Sequence, residues 1–162
     1  MVTHDVPRFP VSKVMNWDTV AQWRQTVRGA VVFTNGVFDL LHPGHIEVLD
    51  MARREGAALV VGLNSDDSVR RLKGPTRPVR TTAERALVLA GLEAVDAVVV
   101  FDQDTPLDLV QRLQPDVIVK GGDYSPETIV GADVVTARGG RVVVVPLVAG
   151  QSTTSIIEKL RG

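Results

Sequence analysis

Five short, valine-rich runs punctuate this chain at residues 30–34, 58–63, 97–101, 116–119 and 141–145, and helix-patterned segments separate them. Strands that alternate with helices run parallel, because each helix carries the chain back to the edge where the next strand begins. Right-handed crossovers then put helices on both faces. The run at 58–63 is apolar at nearly every position, as a strand covered on both faces requires. The expected fold is therefore α/β: a single Rossmann-like, doubly wound domain over residues 1–162, with a five-stranded parallel sheet and helices on both faces. Residues 1–27 read as a partly helical N-terminal extension without a motif.

The helices carry their own boundary signals. Asn16 is placed to cap a helix at 17–27, and Pro43 suits the first turn of one at 45–54. Ser65 or Asn64 opens 65–72, and Thr81-Thr82 with Glu84 or Arg85 opens 82–92. Further helices are expected at 106–113, 126–138 and 153–160, the last capped by Ser152.

Composition narrows the chemistry. The chain has no cysteine, which excludes disulfides and thiolate metal sites. No apolar run approaches the length of a membrane span, and nothing near residue 1 reads as an export leader. A cytoplasmic protein is expected, acting as a homodimer on small molecules. A net charge of -1 gives no reason to expect nucleic acid as a partner. That balance hides an asymmetry: Arg70, Arg71, Lys73, Arg77, Arg80 and Arg85 crowd one stretch, and Glu93, Asp96, Asp102, Asp104 and Asp108 follow it. The basic stretch reads either as a solvated surface or as an anion-gripping loop. Gly74, Pro75 and Pro78 favour a loop, loose until a ligand orders it.

Ligands of doubly wound folds sit beyond the carboxyl ends of the strands, at the switch in strand order. Polar signals cluster there. His42 and His45 bracket Pro43-Gly44 between the first strand and its helix, where free N–H groups and the helix dipole favour a phosphate. Gly121-Gly122 reads as a tight turn or as a place where backbone approaches a ligand. Ser152-Thr153-Thr154-Ser155 reads as an over-supplied cap or as a second phosphate-friendly helix start. Two such sites above one sheet suit a triphosphate. His4, near the chain's start, reads as structural.

These residues resemble a family. The run from Gly36 through Phe38, Asp39, His42, Pro43, Gly44 and His45, with Gly150-Gln151-Ser152-Thr153-Thr154-Ser155, is similar to the cytidylyltransferase-like nucleotidyltransferases. Phe33-Thr34-Asn35-Gly36, Leu72-Lys73-Gly74-Pro75 with Arg77-Pro78, Val95-Asp96, Asp104-Thr105-Pro106 and Lys120-Gly121-Gly122-Asp123-Tyr124 resemble the adenylyltransferases that make ADP-heptose, in their free-standing form. The resemblance covers roughly residues 28–161.

It implies that ATP and D-glycero-β-D-manno-heptose 1-phosphate give ADP-heptose and pyrophosphate, for lipopolysaccharide core or surface-glycan synthesis. His42 and His45 would bind phosphate and stabilise the transition state, Lys73 would neutralise charge, and Arg85 would assist. Thr34, Asn35, Gly36, Phe38, Asp39 and Gly44 would hold nucleotide. Gly121, Gly122 and Asp123 would line the nucleoside pocket, and Ser152, Thr153, Thr154 and Ser155 would grip the β- and γ-phosphates. The triphosphate implies Mg²⁺, held mainly by phosphate, with no protein cluster to bind a metal alone.

Three other readings compete. A cytidylyltransferase for a polyol or aminoalcohol phosphate usually carries arginine where Leu147 stands here. A class I aminoacyl-tRNA synthetase fragment needs a lysine-rich loop that this chain lacks. A non-catalytic nucleotide sensor would not need His42, His45 and Lys73 together.

Overall fold

A computed structural model describes residues 8–162 of the chain, so His4 lies outside the described residues. The elements follow in the order α1 (Pro10–Lys13), β1 (Val14–Met15), α2 (Trp17–Thr26), β2 (Val31–Gly36), α3 (Pro43–Arg54), β3 (Ala58–Asn64), α4 (Asp66–Lys73) and α5 (Thr82–Ala90). Then come β4 (Ala97–Phe101), α6 (Leu107–Leu113), β5 (Val117–Gly121), a 3-10 turn (Pro126–Thr128), α7 (Ala132–Ala137), β6 (Arg141–Val145) and α8 (Thr153–Arg161).

The sheet has six strands rather than the expected five, ordered β1-β4-β3-β2-β5-β6, and every pairing is parallel. The extra strand is β1. Its two residues pair with Val98 and Val99, too short a run to show any period in the sequence. The N-terminal segment thus covers the edge of β4, which would otherwise offer unpaired backbone. Trp17 Nε1 donates to Val100 O at 2.9 Å, and Lys13 Nζ to Leu92 O at 3.2 Å.

Alternation along the strands sorts side chains into two cores. Val32, Leu59, Val61, Val98, Val117 and Val119 face α3 and α5, packing on Leu49, Ala52, Ala86 and Leu89. Val31, Phe33, Val60, Val99 and Ile118 face the opposite side, against Val20, Leu109, Val110 and Val135 from α2, α6 and α7. All of β3 is buried, as its unbroken apolar run requires.

The expected caps form. Asn16 accepts from Thr19 N, Ser65 from Ser68 N and Ser152 from Ser155 N. Thr81 and Glu84 cap each other's backbone reciprocally. The helix expected over 126–138 instead breaks into the 3-10 turn and α7. The break falls at Gly131, where φ is +88°, and a Cβ there would lie 3.0 Å from Val110.

One feature of the register positions the site. β2 pairs with β3 from Val31 to Gly36 but with β5 only at Val32–Val117 and Phe33–Ile118. Beyond those pairs β2 and β5 part. The crevice between their carboxyl ends lies where the strand order reverses, the usual ligand position in such sheets.

Candidate active site

The turn after β2 builds one wall of the crevice. Phe38 has φ +46°, a left-handed conformation that a bulky residue adopts only when its surroundings impose it, at a cost of about 1–3 kcal/mol. Two contacts accompany the conformation. The ring lies over Gly36, where a Cβ would come within 3.0 Å of it, and its centroid is 5.2 Å from that of His45.

His42 occupies the cap position of α3, and His45 stands on the first turn. Their rings stack, with centroids 3.8 Å apart and planes at 26°. Gly44 permits this, since a Cβ there would sit 3.0 Å from the His42 ring. His42 N donates to His45 Nδ1 at 3.3 Å. With Nδ1 accepting, the neutral imidazole of His45 carries its proton on Nε2. Burial, and then the neighbouring His42, push the His45 pKa down to about 4, so the ring is a neutral donor at neutral pH. Burial also lowers His42, whose Nδ1 is buried without a partner among the described residues.

A second helix start meets the first. Thr153 Oγ1 donates to Leu40 O at 2.9 Å, tying α8 to the turn after β2, and the Cβ of Gln151 lies 3.3 Å from where a Gly44 Cβ would be. The four hydroxyls expected to be free for phosphate are largely committed. Ser152 caps the helix, Ser155 is hydrogen-bonded to Ser152, and Thr153 holds Leu40. Exposed Thr154 and the helix's backbone N–H groups are what α8 offers an anion.

The basic stretch divides between helix and loop: Arg70 and Arg71 lie in α4 and Arg85 in α5, in the helices expected there, Lys73 closes α4, and Arg77 and Arg80 lie in the loop from Gly74 to Thr81. Most of its charges are paired: Arg70 with Asp67 (2.6 Å), Arg71 with Asp104 (3.0 Å), Arg77 with Asp39 (2.7 Å) and Arg80 with Glu84 (3.6 Å). Arg71 alone reaches the acidic run, through Asp104 and Asp102; the other partners come from outside it. Lys73 has no carboxylate partner among the described residues.

Asp39 pins the loop from beneath. Its carboxylate accepts from Arg77 Nε at 2.7 Å, Val79 N at 2.9 Å and Arg80 N at 3.0 Å. Burial works against its charge, but the N–H groups of Arg80 and Val79 and the Arg77 guanidinium outweigh it and hold the pKa below the usual carboxylate range. The side chain is thus committed to the loop, which leaves the backbone of this segment, the part the resemblance implies for nucleotide, facing the crevice.

Arg85 departs further from expectation. It is 2% exposed, and every guanidinium N–H is used inside the protein. Nε donates to Arg80 O, Nη1 to Val37 O and Asn64 O, and Nη2 to Asp66 Oδ1 and Thr82 Oγ1. No donor is left for a phosphate. Arg85 ties the turn after β2, the end of β3 and the basic loop into one piece. It is a positioning residue.

The crevice encloses about 480 Å³, within the range of small-molecule sites. Thr34, Asn35, Gly36, Phe38, Asp39, His42, Gly44, His45, Lys73, Gly121, Ser152, Thr153 and Thr154 line it, so most of the expected residues converge. Gly122 and Asp123 line an adjoining surface depression instead, and Ser155 and Arg85 lie off the wall. Asn64, Arg77, Asp104, Lys120 and Tyr124 also line the crevice and were not among the expected site residues. All but Tyr124 and Arg77 sit at or just past a strand's carboxyl end, which was the available signal. Leu147 is on the wall as well. Among the described residues no three His, Asp or Glu side chains gather to hold a metal.

The matches to known proteins agree with this geometry. The "cytidylyltransferase-like" family model matches residues 33–159. The bifunctional protein HldE of Hyphomonas neptunium is 60% identical over 140 residues, covering 86% of this chain and 29% of that protein. HldE of Geotalea uraniireducens is 57% identical over 153 residues, covering 93% of this chain and 31% of its own length. The chain therefore spans about three-tenths of these curated relatives. A crystal structure of the lipopolysaccharide core biosynthesis protein from Thermoplasma volcanium superposes with a TM-score of 0.59 at 27% identity, covering 75% of this chain and 98% of that one. A pantoate-beta-alanine ligase from Francisella tularensis, at 13% identity and TM-score 0.58, shares the fold. With the family model running from within β2 into α8, and the paired histidines and both helix starts inside it, the chain belongs to the cytidylyltransferase-like family.

Proposed function

We propose that the chain transfers AMP from ATP to a heptose 1-phosphate, giving ADP-heptose and pyrophosphate. The observation that carries nucleotidyl transfer is the stacked histidine pair between two helix starts at the mouth of the sheet's switch point. Support for the heptose comes from the Lys120-to-Tyr124 and Lys73-Gly74-Pro75 elements, from the identity to the HldE proteins, and from the likeness to a lipopolysaccharide core biosynthesis protein. The proposal treats residues 1–162 as one nucleotidyltransferase unit.

In this reading an oxygen of the sugar phosphate attacks the α-phosphorus in line. A new P–O bond forms, the bond from the α-phosphorus to the bridging oxygen breaks, and pyrophosphate leaves with the electron pair. The protein supplies position and charge stabilisation, with no nucleophile of its own. His45 donates from Nε2 to an α-phosphoryl oxygen, and its neutrality spares the desolvation of a cation. His42 stacks beside it and contacts the same phosphate. The start of α8 and Lys73 take charge that accumulates on the leaving pyrophosphate. A divalent ion, Mg²⁺ in the simplest case, arrives on the triphosphate as part of the substrate.

Adenine is favoured by Leu147 on the crevice wall, where an arginine would supply a donor for a pyrimidine carbonyl. A pyrophosphate-release screen of four nucleoside triphosphates against heptose 1-phosphate and polyol phosphates tests the reading. ATP with the heptose should exceed CTP by at least about 10-fold in kcat/KM, and Leu147→Arg should erode that preference. Faster turnover of CTP with a polyol phosphate would replace the reading with a cytidylyltransferase.

A further inference from the structure

Lys120 stands near the carboxyl end of β5, half-buried on the wall of the crevice that His42, His45 and Thr34 also line. The arginines around this site are answered: Arg77 by Asp39, Arg71 by Asp104, and Arg85 by Asp66 and four further acceptors. Lys120 has neither a carboxylate nor a hydrogen-bond acceptor among the described residues. Its ammonium stands 6.0 Å from the centroid of the Tyr124 ring, at the outer limit of a cation–π contact, which supplies no hydrogen-bond acceptor and no counter-charge. Burial alone lowers its pKa, with no neighbouring anion acting against it.

A half-buried ammonium without a partner costs stability, and nothing in the fold uses it. The sheet order supplies a reason for keeping it. β2 leads into the turn and the α3 start that hold the histidine pair, and β2 lies between β3 and β5. Lys73 ends α4, which follows β3, and Lys120 stands on β5. The two unpaired lysines therefore flank the histidines from opposite sides. An in-line displacement puts the attacking and leaving oxygens on opposite sides of the reacting phosphorus, each bearing a phosphate.

We propose that Lys120 grips a substrate phosphate across the histidine pair from Lys73. The assignment rests on the nucleotidyl-transfer reading of the crevice. The phosphate belongs either to the acceptor or to the nucleotide, and the arms of the test separate the two.

The test compares Lys120→Met and Lys120→Arg in the full chain. Thermal unfolding, binding of tripolyphosphate and of inorganic phosphate, and the kinetic constants for both substrates are measured. Lys120→Met should keep or raise Tm, since a desolvated charge is removed, while kcat/KM falls by about 10- to 100-fold. Lys120→Arg should recover part of the loss. A rise confined to the KM of the sugar phosphate, with weaker inorganic phosphate binding, assigns the acceptor. A rise in the KM of ATP, with weaker tripolyphosphate binding, assigns the nucleotide. Unchanged anion affinity and unchanged kinetic constants in a stable Lys120→Met protein overturn the proposal. So does a Tm drop of similar size in both variants with the kinetic constants preserved, which marks a structural lysine. The anion titrations use no nucleoside and no sugar. Loss of anion binding in a protein that turns over no nucleotide would therefore sink the transfer reading while sustaining Lys120 as the anion's partner.

Discussion

The two ends of the sheet are built from the same residue types and treat charge in opposite ways. At the amino end, Asp116 accepts from Val31 N at the start of β2 and from Arg24, both at 2.8 Å. Asp96 repeats the device one strand over, taking Leu59 N at 2.9 Å at the start of β3, with Arg53 and Arg8 each at 3.0 Å. Each carboxylate joins an N–H in the first two residues of a strand to arginine, and every partner is present. At the carboxyl end, Lys73, Lys120 and His42 Nδ1 stand without partners among the described residues, and Phe38 is held at φ +46°. An unsatisfied or strained group at a crevice costs stability that a substrate can return, so such groups gather where the substrate binds. Asp39 and Arg85 lie between these extremes: fully bonded, yet within the functional end, where they hold the loop and turn in place.

Removing Arg85 tests that intermediate class and should give the largest effect. Arg85→Met leaves Asp66 and the carbonyls of Val37, Asn64 and Arg80 short of a donor. Breaking such a buried network typically costs about 3–5 kcal/mol. Urea unfolding should show that loss, with kcat falling because the site's walls separate. A fully stable variant with only a raised KM for nucleotide would return Arg85 to the substrate's side of the comparison.

The histidines should behave in the opposite way. His42→Ala and His45→Ala should each lower kcat by about 100-fold or more, through loss of a contact made at the reacting phosphate. Tm should change little in His42→Ala, whose Nδ1 has no partner to lose, and somewhat more in His45→Ala, which gives up the bond from His42 N. Near-normal turnover in either folded variant would break the link between unpartnered groups and chemistry.

How much of this was legible in the sequence follows from whether a signal is local. The caps at Asn16, Ser65, Thr81 and Ser152 were readable, because a cap needs only its own next turn. The unbroken apolar run of β3 announced a strand covered on both sides. The histidine pair was readable from its place between strand and helix. β1 was not, since two residues carry no period. The positive φ at Phe38 was not either, since nothing in the residue's identity requests it. Arg77 meets Asp39 across 38 positions and Arg85 meets Asp66 across 19, and partner choice at such separations is decided by packing. The basic stretch therefore looked like a free grip on an anion, when most of it is spoken for. Lys120 could be placed at a strand end from sequence, but its isolation is a property of the fold.

Charge removal at the amino end should cost stability alone. Asp116→Asn weakens a charge-assisted bond to Val31 N and removes the pair with Arg24, for an expected loss of about 1–3 kcal/mol. Asp96→Asn should match it. Both should keep kcat and both KM values once the measuring temperature is well below the new Tm. A catalytic defect larger than the stability loss explains would mean that the two ends are coupled through β2 and β3, and that the contrast between them is too simple.

The smallest effect separates the ends by pH. His45 is held near pKa 4 in the folded chain, against about 6.5 when unfolded. Its folded pKa is depressed, so below pH 6.5 the unfolded chain binds the proton that the folded chain refuses. Stability from this group is intact above pH 6.5 and drains as pH falls toward 4, where the loss levels off. Between pH 7 and pH 5 the loss should be at most about 2 kcal/mol. His42, lowered in the same direction, adds to it. His45→Gln should flatten that slope, because glutamine has no proton to gain. Asp116→Asn should leave the slope standing, since it touches neither ring. Tm measured against pH for the three proteins, without ligand, decides the matter. A slope that survives in His45→Gln and disappears in Asp116→Asn would place the pH-sensitive strain at the amino end, where every charge has its partner.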